Sequence, residues 1–97
     1  MTHPKFQLGQ VVATPGCLPA LTEAGQTVDE VLLRHQSGDW GEVCLEDAAC
    51  NNAALVDGSR ILSTYRLRTG TEIWIISEAI GEDGKWGSTC LLLPAEY

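Results

Sequence analysis

Basic residues are scarce in this chain: six Lys and Arg stand against thirteen Asp and Glu, a formal net charge of −7. Binding to DNA, RNA or an anionic membrane surface needs Lys and Arg to displace counterions from phosphate, so direct nucleic-acid or membrane binding is not expected. Long apolar runs are missing as well. Runs such as Ile73–Ile76 and Leu91–Leu93 fall far short of the roughly 20 residues that span a bilayer. No apolar segment follows the polar stretch Met1-Thr2-His3-Pro4-Lys5, so no secretory signal is read there. The expectation is an intracellular protein with its four cysteines reduced.

Patterns for metal binding and catalysis are also lacking. Cys17, Cys44, Cys50 and Cys90 include no close C-x2–4-C pair that would bring two thiolates to one zinc ion. They read as structural thiols, since a free Cys behaves as a small hydrophobe. Of the two histidines, His3 lies near the terminus and His35 falls on the apolar side of a helix. A dyad of His35 with Cys44 or Cys50 would have to form in space, and no further residue supports it. No glycine loop of phosphate-binding form follows a strand. Glu46 and Asp47 are neighbours in sequence and read as solvated charges rather than an acid–base pair. No catalytic residue, metal ligand or cofactor is therefore expected.

What is present suits one globular domain over residues 1–97, with 44% hydrophobic and 20% charged residues. Leu8–Ala13 is a short β-prone run. Thr14-Pro15 then predicts a helix start, and Cys17–Ala24 a two-turn helix stopped by Gly25. Thr27-Val28-Asp29-Glu30 has the form of a capping box for a second helix ending near Ser37-Gly38, with Glu30 and Arg34 spaced as an i, i+4 pair. A third helix is predicted over Leu45–Val56, burying a narrow stripe of Leu45, Ala48, Ala49 and Leu55.

The period then changes. Arg60–Leu67 and Glu72–Glu78 read as a β-hairpin, and Thr89–Leu93 as the next strand. Ile73 and Ile75 should face one side of the sheet, and Trp74 and Ile76 the other. The expected fold is α+β: a three- to four-stranded antiparallel sheet, its C-terminal part a meander, with about three short helices from the N-terminal half and the first strand added at an edge. An exposed hairpin edge would be able to pair two copies.

Charge is distributed unevenly. From Gln36 to Ser59 there are Asp39, Glu42, Glu46, Asp47 and Asp57 and no Lys or Arg. Glu78, Glu82 and Asp83 form a second acidic group beside Lys85, while Arg60, Arg66 and Arg68 gather around the first hairpin strand. Two readings stay open: the acids solvate a surface helix, or they meet a basic groove on a partner, where complementary potential sets specificity and on-rate. Trp40, in Gly38-Asp39-Trp40-Gly41, and Trp86, in the glycine-rich loop, fall in connections where an exposed Trp would anchor an interface. For Trp40, folding back over the core is an equal alternative. The candidate partner-binding set is thus Asp39, Trp40, Glu42, Glu46, Asp47, Glu82, Asp83 and Trp86.

Leu8-Gly9-Gln10-Val11-Val12-Ala13-Thr14-Pro15-Gly16, Gly38-Asp39-Trp40-Gly41, Arg60–Tyr65, Ile73–Ala79 and Leu92–Tyr97 together resemble a family of small proteins encoded on plasmids, conjugative elements and phage-like regions. The segments span nearly the whole chain, so the resemblance concerns the fold and carries no catalytic residues. The loop Ile80–Gly87 is longer here than in that family, which implies a place for an added binding function. With the small size and acidic charge, the resemblance implies an anti-CRISPR-like or anti-restriction inhibitor in the cytoplasm of a bacterial host. Its partner would be a protein with a basic surface, such as a nucleic-acid-binding defence complex. A small accessory or antitoxin-like interaction domain of a mobile element is the alternative.

Overall fold

The computed structural model describes residues 4–82, 84 and 86–97. Strand β1 (Gln10–Ala13) is followed by helices α1 (Cys17–Glu23), α2 (Val28–Gln36) and α3 (Leu45–Asp57), and then by strands β2 (Ile61–Arg66), β3 (Glu72–Ser77) and β4 (Ser88–Leu92). A short 3-10 turn covers Pro94–Glu96. The fold is α+β, with one four-stranded sheet in the order β1-β4-β3-β2. β2, β3 and β4 form the antiparallel meander. β1 departs from the antiparallel expectation: it runs parallel to β4, from Gln10 opposite Ser88 to Ala13 opposite Leu91. The sheet is therefore mixed. The three helices between β1 and β2 carry the chain the length of a crossover, which parallel pairing requires and a hairpin turn cannot supply.

Local chemistry explains the helix starts, with some exchanges of partner. Thr27 Oγ1 accepts from the Glu30 N–H at 3.2 Å, the first half of the predicted capping box. The return half is not made. Glu30 Oε2 instead accepts from Gln26 Nε2 at 3.2 Å, and Arg34 turns to Asp39 rather than to Glu30. α1 begins after Gly16, not Thr14. Thr14 donates its hydroxyl to the Glu96 carboxylate, which also accepts from the Gly16 and Leu93 N–H groups, each at 3.0 Å.

α1 and α2 cover the sheet face that presents Tyr65, Ile73, Ile75 and Leu91, and bury Cys17, Leu21, Val31 and Leu32 against it. Ile73 and Ile75 share that face as their spacing predicts. On the reverse face, the Trp74 ring meets Tyr97 at 5.5 Å between centroids. A second core gathers Phe6, Trp40, Ala54, Ile61 and Trp86, and ties α3 to the sheet.

The free side of β2, expected to be open, is occupied. Asn51 Nδ2 donates to the Leu62 carbonyl at 2.7 Å and its Oδ1 accepts from the Leu62 N–H at 3.1 Å. One step along, the Thr64 N–H donates to the Trp40 carbonyl and the Glu42 N–H donates to the Thr64 carbonyl. Gly41 makes this approach possible: its φ is +74°, and a Cβ there would lie 1.9 Å from the Thr64 carbonyl oxygen. β1 is the strand at the other end of the sheet, and among the described residues none pairs with its outer side; Val11 and Val12 are exposed.

Candidate functional site

Asp39, Trp40 and Glu42 lie in the connection from α2 to α3, and each has a structural partner. Asp39 Oδ2 accepts from Arg34 Nε at 2.7 Å, its Oδ1 accepts from the Gly41 N–H, and its carbonyl accepts from the Tyr65 hydroxyl at 2.6 Å. The Arg34 hydrogen bond holds the Asp39 carboxyl below its ordinary pKa. Glu42 Oε1 accepts from Arg66 Nε at 3.2 Å. Both ion pairs are about half exposed, where such pairs contribute little energy, so they orient the connection more than they stabilise it.

Trp40 takes the alternative of folding back over the core, and Trp86 corrects the expectation that it stands exposed. Trp40 is 6% exposed and Trp86 9% exposed, and the Phe6 ring sits against Trp86 at 5.2 Å and Trp40 at 6.4 Å. Trp40 Nε1 donates to Asn52 Oδ1 at 3.1 Å. Trp86 folds its loop back onto the core, making an isolated bridge with Ile80, and its carbonyl packs where Gly9 leaves no room for a Cβ. They are core residues, not anchors offered to a partner.

Behind these rings lies a polar chain that sequence reasoning missed. His35 is fully buried, with Nδ1 2.6 Å from Ser63 Oγ and Nε2 2.9 Å from Ser77 Oγ. Ser77 Oγ lies 2.7 Å from Thr89 Oγ1, and Thr89 donates to the Leu8 carbonyl at 2.7 Å. The carbonyl end fixes every direction. Each hydroxyl has one proton to give. Thr89 spends its proton on Leu8, so it accepts from Ser77. Ser77 in turn accepts from His35 Nε2–H, and the bare Nδ1 accepts from Ser63. Burial pushes the His35 pKa down to about 4. Both ring nitrogens are thus engaged by serines, whereas Cys44 and Cys50 are exposed, so the Cys–His dyad weighed from sequence does not form. An apolar-face His flanked by strand Ser and Thr was the available signal, but the register that joins them is not written locally.

Glu46 and Asp47 occupy the exposed first turn of α3, where their charge favours the helix N-terminus. Among the described residues neither forms a salt bridge. Glu82 is exposed, and Asp83 lies outside the described residues. The stripe predicted for α3 is rotated. Asn51 and Ala54 are buried and Ala48 and Leu55 half-buried, while Leu45 is 90% exposed and Val56 91% exposed. An open depression of about 180 Å³ lies where α3 meets β2, lined by Asp47, Cys50, Asn51, Arg60 and Leu62. Arg60 is turned toward the Tyr97 hydroxyl, to which it donates at 2.7 Å.

Among the described residues no cluster of three or more His, Cys, Asp or Glu is placed to hold a metal ion, and no helix is long and apolar enough to cross a membrane. The structure brings Asp39, Trp40 and Glu42 together and sets Glu46 and Asp47 on the next helix. No family model, curated protein or solved structure matches the chain.

Proposed function

We propose that the protein is a non-enzymatic inhibitor of a mobile-element class, which binds a bacterial defence nucleoprotein complex and keeps DNA from it. The observation that carries this reading is the exposed acidic character of α3: Glu46 and Asp47 exposed at its start and Asp57 at its end, with no Lys or Arg from Gln36 to Ser59. A surface of that kind is complementary to the Lys- and Arg-rich groove through which such a complex holds DNA. The resemblance to plasmid- and phage-associated proteins points to the same class of target.

The test is release of a labelled DNA duplex from purified CRISPR and restriction complexes, followed by fluorescence anisotropy. Stoichiometric release is expected, weakening between about 50 mM and about 500 mM salt as screening shortens the reach of charge. Glu46→Lys with Asp47→Lys should abolish release without changing the fold. Folded variants that still release DNA would sink the reading. The place of β1 at the end of the sheet, with Val11 and Val12 exposed, favours a second reading as an accessory or antitoxin-like interaction domain. That reading expects an affinity indifferent to salt.

A further inference from the structure

We infer that the outward face of α3 is a docking site for a basic amphipathic helix carried by a protein partner, an inference that rests on the protein-binding reading above. Leu45, Ala49, Ala53 and Val56 fall at i, i+4, i+8 and i+11, which places them in one stripe on the side of α3 opposite buried Asn51 and Ala54. The end residues are large and nearly fully exposed, at 90% and 91%. The two alanines between them let a second backbone come close, while Leu45 and Val56 stand about 16 Å apart along the axis and would clasp a partner at both ends. Nothing in the sheet's packing needs these two side chains.

Charge selects the occupant. Glu46 follows Leu45 and Asp57 follows Val56, a turn of about 100° per residue that sets both carboxylates on the same flank of the stripe. A helix with its own apolar stripe flanked by Lys or Arg satisfies both features at once. A second copy does not, because pairing two α3 helices brings four border carboxylates together with no base on either helix to offset them. An anionic membrane surface is repelled by the same carboxylates and by the net charge of −7.

The experiment titrates the isotopically labelled full chain with two synthetic peptides of identical Leu, Ala and Lys composition, one amphipathic as a helix and one shuffled. The expected result is binding of the amphipathic peptide at least about tenfold tighter than the shuffled one, with NMR shifts centred on Leu45, Ala49, Ala53 and Val56. Leu45→Ser with Val56→Ser leaves the charge unchanged and should remove that preference. Glu46→Gln with Asp57→Asn should weaken both peptides. Circular dichroism confirms that each variant keeps the fold. Equal binding of the two peptides, no binding of either, or shifts centred on β1 overturns helix docking. So does a concentration-dependent dimer that Leu45→Ser with Val56→Ser dissolves, which would assign the face to a second copy. None of these outcomes touches DNA release and its dependence on Glu46 and Asp47, so the two readings fail separately.

Discussion

The side-chain amide of Asn51 meets the backbone of Leu62 as the next strand of the sheet would, donating at 2.7 Å and accepting at 3.1 Å. One side chain from α3 thereby completes the ladder on the free side of β2. Removing it leaves a carbonyl and an N–H without partners, and an unpaired buried group costs on the order of 1–3 kcal/mol. Asn51→Ala is expected to lower stability by about 2 kcal/mol in urea titration. It should also promote self-association detectable by sedimentation, since an unpaired strand edge templates another. Asn51→Asp keeps the acceptor but turns a carboxylate oxygen toward the Leu62 carbonyl in a buried site, and should cost at least as much at neutral pH.

His35 should make the fold acid-sensitive above the range where ordinary carboxylates titrate. Its pKa is lowered from 6.5 to about 4 by burial, so between those values the unfolded chain binds the extra proton and the folded chain does not. Stability is therefore lost as pH falls from about 6.5 to about 4, by about 3 kcal/mol at most. Asp39 and Glu96, whose carboxyls are lowered chiefly by hydrogen bonds from Arg34 and Thr14, add their own loss further down. His35→Gln should flatten the slope in the upper window. Nitrogen NMR near neutral pH should find the proton on Nε2. A ring protonated at Nδ1 instead would contradict the direction of the polar chain.

Trp86 should behave as a core residue. Its truncation empties a site shared with Phe6, Ala54 and Ile61. Large aromatic-to-alanine changes in cores cost roughly 3–5 kcal/mol, and Trp86→Ala is expected near the lower figure in chemical unfolding. A Trp86→Ala protein of unchanged stability would show that the ring does not pack as described.

The thiols should divide by burial. Cys44 and Cys50 are exposed, whereas burial first, then Glu96 and Cys90, push the Cys17 pKa up to about 11. Alkylation of the native protein followed by mass spectrometry should show two fast adducts, a slower one at Cys90, and none at Cys17 until the chain unfolds. Four adducts appearing together would contradict the placement of Cys17.

Features fixed within one turn or one strand were legible in the sequence. Thr27 at the start of α2, and Ile73 and Ile75 on one face, each follow from neighbours a few residues away. What escaped depends on pieces far apart in the chain. The parallel seat of β1, the closure of β2 by Asn51, and the Ser63–His35–Ser77–Thr89 chain have no local signature, because register sets them. The candidate site divided the same way. The acids of α3 were legible as charges, but Trp86 was misjudged because a Gly-rich loop says nothing about the Phe6 ring it folds onto. Leu45 was misjudged because four small alanines leave the helical period too weak to orient α3.

The parallel seat of β1 also orders events during synthesis. Val11 waits for Thr89, and Gln10 for Ser88. The helices that cover the sheet leave the ribosome before β2, β3 and β4, with no finished surface to settle on. Contacts this distant in sequence make folding slow and late. Val11 and Val12 thus meet the cell first as an unpaired apolar segment, the stretch a chaperone would find open for longest.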